Sequence, residues 1–195
     1  MGGFSPTIAS YISLKRNNKV KNLKEWLKKI FDIKHNIWTY VLVILFVLIY
    51  YVLGCAINGF EFGAPIFMLI VILPMMLFGG GNEEVGWRMI LQPELEKKFG
   101  FHIATIFTSI IWWLWHLPIF FIIGTANANM NYFLFGIMCL TLCYALATIR
   151  KVSKGVFPCI LTHCLINGLS AILVFNYSCN GVQREHNKKL NNGLP

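Results

Sequence analysis

The chain has 195 residues, of which 56% are hydrophobic and only 13% are charged, and its formal net charge at pH 7 is +9. A soluble domain carries roughly twice that charged fraction, so the composition excludes an ordinary soluble globule. Several apolar runs of about 20 residues predict an all-α fold instead, a polytopic transmembrane helical bundle with about five or six membrane helices.

The positive charge is concentrated near the N-terminus. Eight of the 17 lysines and arginines fall between Lys15 and Lys34. No base-reading or phosphate-cradling motif accompanies them, so we expect no nucleic-acid partner. The stretch VKNLKEWLKKIF predicts a basic amphipathic helix that rests on anionic lipid headgroups. Its predicted apolar face consists of Val20, Leu23, Leu27, Ile30 and Phe31, and its lysines, Lys21, Lys24, Lys28 and Lys29, lie away from that face.

Four further apolar runs are long enough to cross a bilayer: Trp38–Ile57, Phe101–Ile123, Asn131–Ile149 and Val156–Tyr177. A shorter run, Ala64–Phe78, contains Pro74 and spans only if a bent or broken helix continues through GGGNEEVGWRMILQPEL. The glycines from Gly79 to Gly81 predict a hinge there, and Asn82 is predicted to cap the helical segment that follows.

This pattern divides the chain into an N-terminal segment with the interfacial helix (1–37), a membrane-embedded core (38–178) and a polar tail (179–195). Because cytoplasmic loops carry an excess of Lys and Arg, the first segment, Lys97 with Lys98, and the Arg150–Lys154 loop are assigned to the cytoplasmic side. The loop around Glu61 then faces outward. The tail would also face outward, which the same rule does not favour.

Polar residues inside these apolar runs fall at helical spacing. Glu84 and Arg88 are four residues apart, as are His163 and Asn167, so each pair shares one face of a helix. Counting about 1.5 Å per residue from the predicted cytoplasmic ends puts four of these groups, from three helices, at similar depths. Those depths are roughly 16 Å for Glu83, 22 Å for His116, 12 Å for His163 and 18 Å for Asn167.

The chemistry that such a set could support is hydrolysis at a carbonyl group. A carboxylate beside an imidazole can hold a water molecule and remove its proton, and a second imidazole with an amide can stabilise an oxyanion. Alternatively, Glu83, His116 and His163 could hold zinc, since two His and one carboxylate leave an open position on that metal. Taken singly, Glu84 with Arg88 could be a structural ion pair, and His116 a residue that joins helices.

Three motifs resemble those of one family, the CAAX-protease and bacteriocin-processing (CPBP, or ABI) intramembrane endopeptidases. EExxxR is matched by Glu83, Glu84 and Arg88. The motif of an aromatic residue four positions before a histidine is matched by Trp112, in place of the usual Phe, and His116. HxxxN is matched by His163 and Asn167, and the similarity runs from about Ala64 to Ser170.

The resemblance implies a role for each motif residue. Glu83 would activate water with the help of His116, and His163 with Asn167 would stabilise the oxyanion, while Glu84 and Arg88 organise the site. Eukaryotic members remove the last three residues of prenylated CAAX proteins, and bacterial members are linked to peptide processing or bacteriocin immunity. The family carries a metalloprotease label, so zinc is the cofactor to test, although a metal-independent glutamate mechanism is also argued for it.

The expected protein is therefore an integral protein of the bacterial cell membrane, with a site that opens toward the cytoplasm. Its expected partners are membrane lipids and a peptide or lipidated-protein substrate. The alternative is a non-enzymatic immunity or peptide-binding membrane protein. Met89 and Trp113 occupy places where many bacterial members have Gly, and these bulkier residues are expected to narrow or reshape the cavity without removing a catalytic group. The start GGFSPTIASYI resembles the end of an earlier span in longer members.

Overall fold

The computed structural model describes residues 2–175, and these form a helical bundle with one short pair of strands. The predicted tail, 179–195, lies outside the described residues. In chain order the helices are α1 (Ser5–Arg16), α2 (Leu23–Ile30), α3 (Ile37–Asn58), α4 (Leu69–Phe78), α5 (Glu84–Gly86), α6 (Gln92–Trp115), α7 (Tyr132–Ser153) and α8 (Phe157–Ser170). The strands are β1 (Phe60–Phe62) and β2 (Leu173–Phe175).

Helices α3 and α7 are the simplest membrane helices. Each has 22 residues and starts at an asparagine, Asn36 or Asn131, whose side chain accepts backbone N–H bonds from the first turn. In residues 2–175, three ranges are long and apolar enough to cross a bilayer, namely Ile37–Asn58, Ile66–Phe121 and Tyr132–Ser153, and Phe157–Ser170 is a shorter apolar helix. The structure therefore supports an all-α, polytopic membrane fold, whereas the predicted count of five or six spans is not confirmed.

The range Ile66–Phe121 folds back on itself at Gly100. This glycine has φ +75°, outside the helical region, and Gln92 Nε2 donates to Thr105 Oγ1 at 3.0 Å. In a straight helix these two residues would be about 20 Å apart. The chain therefore reverses, and the two arms of α6 lie side by side.

The last predicted span, Val156–Tyr177, is wrong at its C-terminal end. Helix α8 stops at Ser170, and residues 173–175 form β2, which pairs with β1 in antiparallel register (Phe60 opposite Phe175). An apolar run such as AILVF is compatible with either a helix or a strand, and its β-branched residues favour a strand.

Helix α2 is amphipathic, but its apolar side is divided between two environments. Val20, Trp26 and Ile30 are buried against the protein, whereas Leu23 and Leu27 are exposed. Trp26, which the predicted face omitted, is the centre of the buried part, and Phe31 at the end of the helix is also exposed. The exposed apolar strip beside exposed lysines still fits a helix at a membrane surface.

Helix α1 packs closely against α5. A Cβ atom on Gly86 would lie 2.7 Å from the carbonyl oxygen of Pro6, so only glycine permits this approach. Thr7 Oγ1 also donates to the backbone carbonyl of Asn82 at 2.7 Å. The N-terminal helix therefore supports the segment that carries the first sequence motif.

The basic segments of the chain meet at one end of the bundle. Lys19 and Glu94 form an ion pair at 3.1 Å, which joins the α1–α2 connection to the α6 hairpin. The β1–β2 pair marks the opposite end, because α3 leads into β1 and α8 leads toward β2. We call these the basic end and the strand end.

Candidate active site

The first motif lies in a segment with three successive backbone conformations. Gly81–Glu83 is a 3-10 turn, α5 follows, and Trp87–Leu91 is a π-helical turn before α6 begins. Residues 81–88 are all buried. π turns occur often at functional sites. Asn82 does not cap this segment as predicted, because its buried side chain makes no hydrogen bond to the described residues.

Glu84 and Arg88 form a fully buried ion pair. Arg88 Nε donates to Glu84 Oε2 at 2.9 Å, and neither side chain has any exposed surface. Arg88 also donates to Gln92 Oε1 at 3.3 Å and to Cys143 Sγ at 3.0 Å. Gln92 and Cys143 were not singled out from the sequence. This network fixes the position of Glu84.

Glu83 faces away from that network and is held by tryptophan side chains. Trp112 Nε1 donates to Glu83 Oε2 at 3.1 Å, and Trp87 Nε1 lies 3.5 Å from the same oxygen. The sequence indicated Trp112 only as a motif position and predicted no part for it in the site. Its indole N–H gives Glu83 a hydrogen bond that the usual Phe could not provide.

The two motif histidines use their Nδ1 atoms for fixed contacts. His116 Nδ1 lies 2.8 Å from the carbonyl oxygen of Trp112, and His163 Nδ1 lies 2.9 Å from Glu84 Oε1. A carbonyl or carboxylate oxygen only accepts, so Nδ1 carries the hydrogen in both rings. Nε2 is then the ring nitrogen left for chemistry. The Trp112 ring packs edge-on against both imidazoles, with centroids 5.3 Å and 5.5 Å away.

His163 and Asn167 converge on Gly80. A Cβ atom on Gly80 would lie 2.7 Å from Asn167 Nδ2 and 3.1 Å from His163 Nε2. The absence of a side chain at Gly80 therefore leaves room in front of these two nitrogens. Because both lie near one point, a single substrate atom could contact both.

A cavity of about 700 Å³ joins these groups. Glu83, His116, His163 and Asn167 all line it, and Glu84 and Arg88 lie behind its wall. The roles of these six residues remain predictions. Neither Met89 nor Trp113 is among the residues that line the cavity, so the structure shows no direct narrowing by these side chains. Instead, Trp113 stacks on Tyr132 with ring centroids 4.7 Å apart.

The described residues do not show a metal site at the proposed zinc ligands. In the described part of the chain, no three His, Cys, Asp or Glu side chains are grouped closely enough to hold a metal ion. Zinc ligation by Glu83, His116 and His163 therefore stays a prediction.

The cavity lies toward the strand end of the bundle. Its wall includes Ser170 at the end of α8, Phe135 near the start of α7, and His116 just after α6. The basic segments lie at the other end. The sequence predicted that the basic segments are cytoplasmic and that the site opens to the cytoplasm. Both predictions can be correct only if substrate reaches the cavity from the basic end.

Comparison with known proteins gives two matches. Residues 37–169 match the family model described as type II CAAX prenyl endopeptidase Rce1-like. The chain is also 25% identical to CAAX prenyl protease 2 of Methanococcus maripaludis over 193 residues, which covers 85% of this chain and 68% of that protein. The resemblance drawn from the three motifs is thereby confirmed. Since the family model spans most of its length, the chain belongs to the Rce1-like family of type II CAAX prenyl endopeptidases.

Proposed function

We propose that the protein is an intramembrane endopeptidase that hydrolyses a peptide bond in a membrane-associated peptide or CAAX-like protein. One observation carries this proposal. A carboxylate, two imidazoles and an amide from three separate motifs line one cavity in an otherwise apolar bundle. Ionisable groups inside membrane proteins are costly, and they usually survive where they have a function.

In the proposed mechanism, Glu83 is the general base. Its carboxylate removes a proton from a water molecule while the water oxygen attacks the scissile carbonyl carbon. Nε2 of His116 lines the same cavity and helps to hold and orient that water. The bond from Trp112 to Oε2 leaves Oε1 of Glu83 available for the water.

The attack turns the carbonyl oxygen into an oxyanion, which needs hydrogen-bond donors. Asn167 Nδ2 lies beside Gly80 together with His163 Nε2, and it donates one hydrogen bond. His163 Nε2 donates the other when the ring is the imidazolium, with Nδ1 donating to the Glu84 carboxylate at the same time. The Glu84–Arg88 pair holds the His163 ring through Nδ1. Donors held in fixed positions stabilise the oxyanion strongly. The C–N bond then breaks, and the proton held by Glu83 passes to the departing amine.

The substrate class follows from the family and the setting. The relative from Methanococcus maripaludis is named as a CAAX prenyl protease. A cavity inside a membrane bundle would receive a peptide whose apolar part is already in the lipid. We therefore assign lipidated or otherwise membrane-bound peptides as substrates and place the protein in the cell membrane.

The test uses the full chain in lipid vesicles and a library of membrane-bound peptides with a fluorescence readout. Glu83→Gln keeps the shape of the side chain and removes the base, so we expect kcat to fall by about 10²–10⁴-fold. The matched control is Glu61→Gln, the same chemical change on the exposed strand β1. Turnover that is unchanged in Glu83→Gln would overturn the mechanism. Peptide binding without cleavage by the unmodified protein would favour the non-enzymatic alternative.

A further inference from the structure

A second cavity, of about 470 Å³, lies at the basic end of the bundle, away from the proposed active site. Its volume is within the range of small-molecule sites, about 300–1,000 Å³. Four cationic side chains and one carboxylate line it: Lys19, Lys29, Arg150, Lys154 and Asp32. We call it the rim cavity. Its lining is cationic overall, so it favours an anion.

The cations of the rim cavity differ in how far they are already neutralised. Lys19 is paired with Glu94 at 3.1 Å, and Lys29 lies 3.6 Å from Glu25. Arg150 and Lys154 take part in none of the ion pairs among residues 2–175. The positive charge left without a carboxylate partner therefore lies on the α7–α8 side of the cavity.

Arg150 is held in a fixed orientation. Its Nε donates to the backbone carbonyl of Arg88 at 3.0 Å, and its side chain is half-buried. The two terminal amino groups of the guanidinium make no hydrogen bond with the described residues. A planar guanidinium that is anchored at one end presents two parallel donors, which match the oxygens of a phosphate.

The backbone beside Arg150 adds to the attraction for an anion. Gly155 and Val156 line the rim cavity, and α8, which has 14 residues, begins at Phe157 without a side-chain cap. The N-terminus of a helix carries partial positive charge. Leu14, Met89 and Val156 give the cavity an apolar wall. A ligand with an anionic group beside an apolar part would satisfy both surfaces.

The position of the cavity indicates where such a ligand comes from. Arg150 and Lys154 stand at the C-terminal end of α7, a helix long and apolar enough to cross a bilayer. A helix of 22 residues that crosses a bilayer has its ends at headgroup level. Basic pockets between membrane helices bind phosphate headgroups. We infer that the rim cavity binds a phosphate group, supplied by an anionic phospholipid or by free phosphate.

The experiment measures binding by the full chain in phosphatidylcholine nanodiscs, through the rise in unfolding temperature as ligand is added. Phosphatidylglycerol is titrated in one arm and inorganic phosphate in the other. Stabilisation by phosphatidylglycerol alone identifies a lipid headgroup, and stabilisation by inorganic phosphate identifies the free anion. If neither ligand stabilises the protein, the inference is overturned.

Variants locate the site. Lys154→Gln removes an exposed, unpaired cation of the rim cavity, and Lys19→Gln is a second variant in case the first folds poorly. Lys154→Gln should raise the ligand concentration for half-maximal stabilisation about fivefold. Lys19→Gln should raise it less, because Lys19 is already paired with Glu94. The matched control is Lys28→Gln, an exposed lysine of α2 that does not line the cavity. An equal loss in Lys28→Gln, or no loss in both rim variants, would overturn the site.

The rim cavity is one hydrogen bond away from the predicted catalytic network. Arg150 bonds to the backbone of Arg88, whose side chain holds Glu84. A bound phosphate would also hold the terminal amino groups of Arg150 and so restrict the motion of this turn, an effect on catalysis that rests on the proposed function. Binding itself is read from unfolding temperature, so a failed protease assay would leave this result standing.

Discussion

Two carboxylates on successive stretches of the same chain have equivalent contacts in opposite surroundings. Glu84 is bonded to Arg88 and His163, each at 2.9 Å, and Glu94 is paired with Lys19 at 3.1 Å and Lys97 at 2.7 Å. The Glu84 side chain is 0% exposed, whereas the Glu94 side chain is 49% exposed. The two carboxylates therefore have similar ion-pair distances and differ in the exposure of their side chains.

This difference decides what each cluster contributes. Around Glu94, water competes for every charge, so an ion pair there stabilises the fold by about 0–1 kcal/mol. Glu84 and Arg88 are fully buried, so water cannot replace a lost ion-pair partner, and the remaining charge would be unpaired inside the bundle. The buried pair therefore matters mainly through the cost of breaking it, about 3–5 kcal/mol.

The largest expected effect is that of Glu84→Gln. The amide keeps the shape of the carboxylate but leaves the Arg88 guanidinium buried without a counter-charge. We expect a loss of about 3–5 kcal/mol in unfolding free energy. In a chain of this size, this lowers the unfolding temperature by on the order of 10 °C. Thermal unfolding in detergent micelles measures it. A decrease equal to that of Glu94→Gln would contradict the role given to burial.

Trp112→Phe tests the second buried carboxylate, Glu83, which accepts a hydrogen bond from the neutral indole of Trp112. The change keeps an aromatic ring beside the histidines and removes the indole N–H that donates to Glu83 at 3.1 Å. A hydrogen bond to a charged group is worth about 1.5–3 kcal/mol. If this bond positions the base, kcat should fall roughly tenfold or more, with little change in KM. Steady-state peptide cleavage gives both constants.

Trp113→Phe is the matched control for Trp112→Phe. It also removes one indole hydrogen bond, from Nε1 to the carbonyl oxygen of Tyr132 at 2.9 Å. Trp113 does not line the active-site cavity, so its loss should leave kcat within about twofold while lowering stability similarly. Equal kcat values in the two variants would mean that the Trp112 bond does not orient Glu83.

The sequence predicted the parts of the site that depend on helical spacing. Four residues separate Glu84 from Arg88 and His163 from Asn167, and this spacing places each pair on one helix face. The high cost of charge in lipid identified Glu83 and His116 as candidates. Glu83, His116, His163 and Asn167 were expected to line one cavity because of their similar depths. Their chemical roles stay predictions.

The parts that were missed depend on tertiary contacts. The bond from Trp112 to Glu83 joins residues 29 positions apart, across the reversal at Gly100. The π-helical turn at Trp87–Leu91 changes the helical register, and hydrophobic periodicity does not reveal it. The early end of α8 results from pairing between β1 and β2, whose short apolar stretches also fit a helix. The hydrogen bond and the strand pairing join residues far apart in the chain, which a local pattern does not show.

Gly86→Ala tests the effect of tight packing, without a change of charge, in the segment that carries Glu84. The new Cβ would lie 2.7 Å from the backbone oxygen of Pro6, so α1 must shift. Overpacking costs about 1–3 kcal/mol, and the better helix propensity of Ala returns at most about 1 kcal/mol. We expect a net loss of about 1 kcal/mol, measured by thermal unfolding. Gly79→Ala is the control, because its nearest neighbour would be at an ordinary 3.5 Å. An equal loss there would argue against close packing of α1 as the cause.

Glu94→Gln should have the smallest effect and closes the comparison with Glu84. It removes two ion pairs at once, but Lys19 and Lys97 are 53% and 62% exposed and recover their hydration in water. We expect a loss below about 1 kcal/mol, and salt should reduce it further because exposed charges are screened within about 10 Å. Unfolding of Glu84→Gln and Glu94→Gln at low and high salt measures both effects. Salt should abolish only the loss in Glu94→Gln, because dissolved ions do not reach the buried Glu84–Arg88 pair. A salt-sensitive loss in Glu84→Gln would mean that water reaches Arg88, and the distinction between the two carboxylates would then be one of degree.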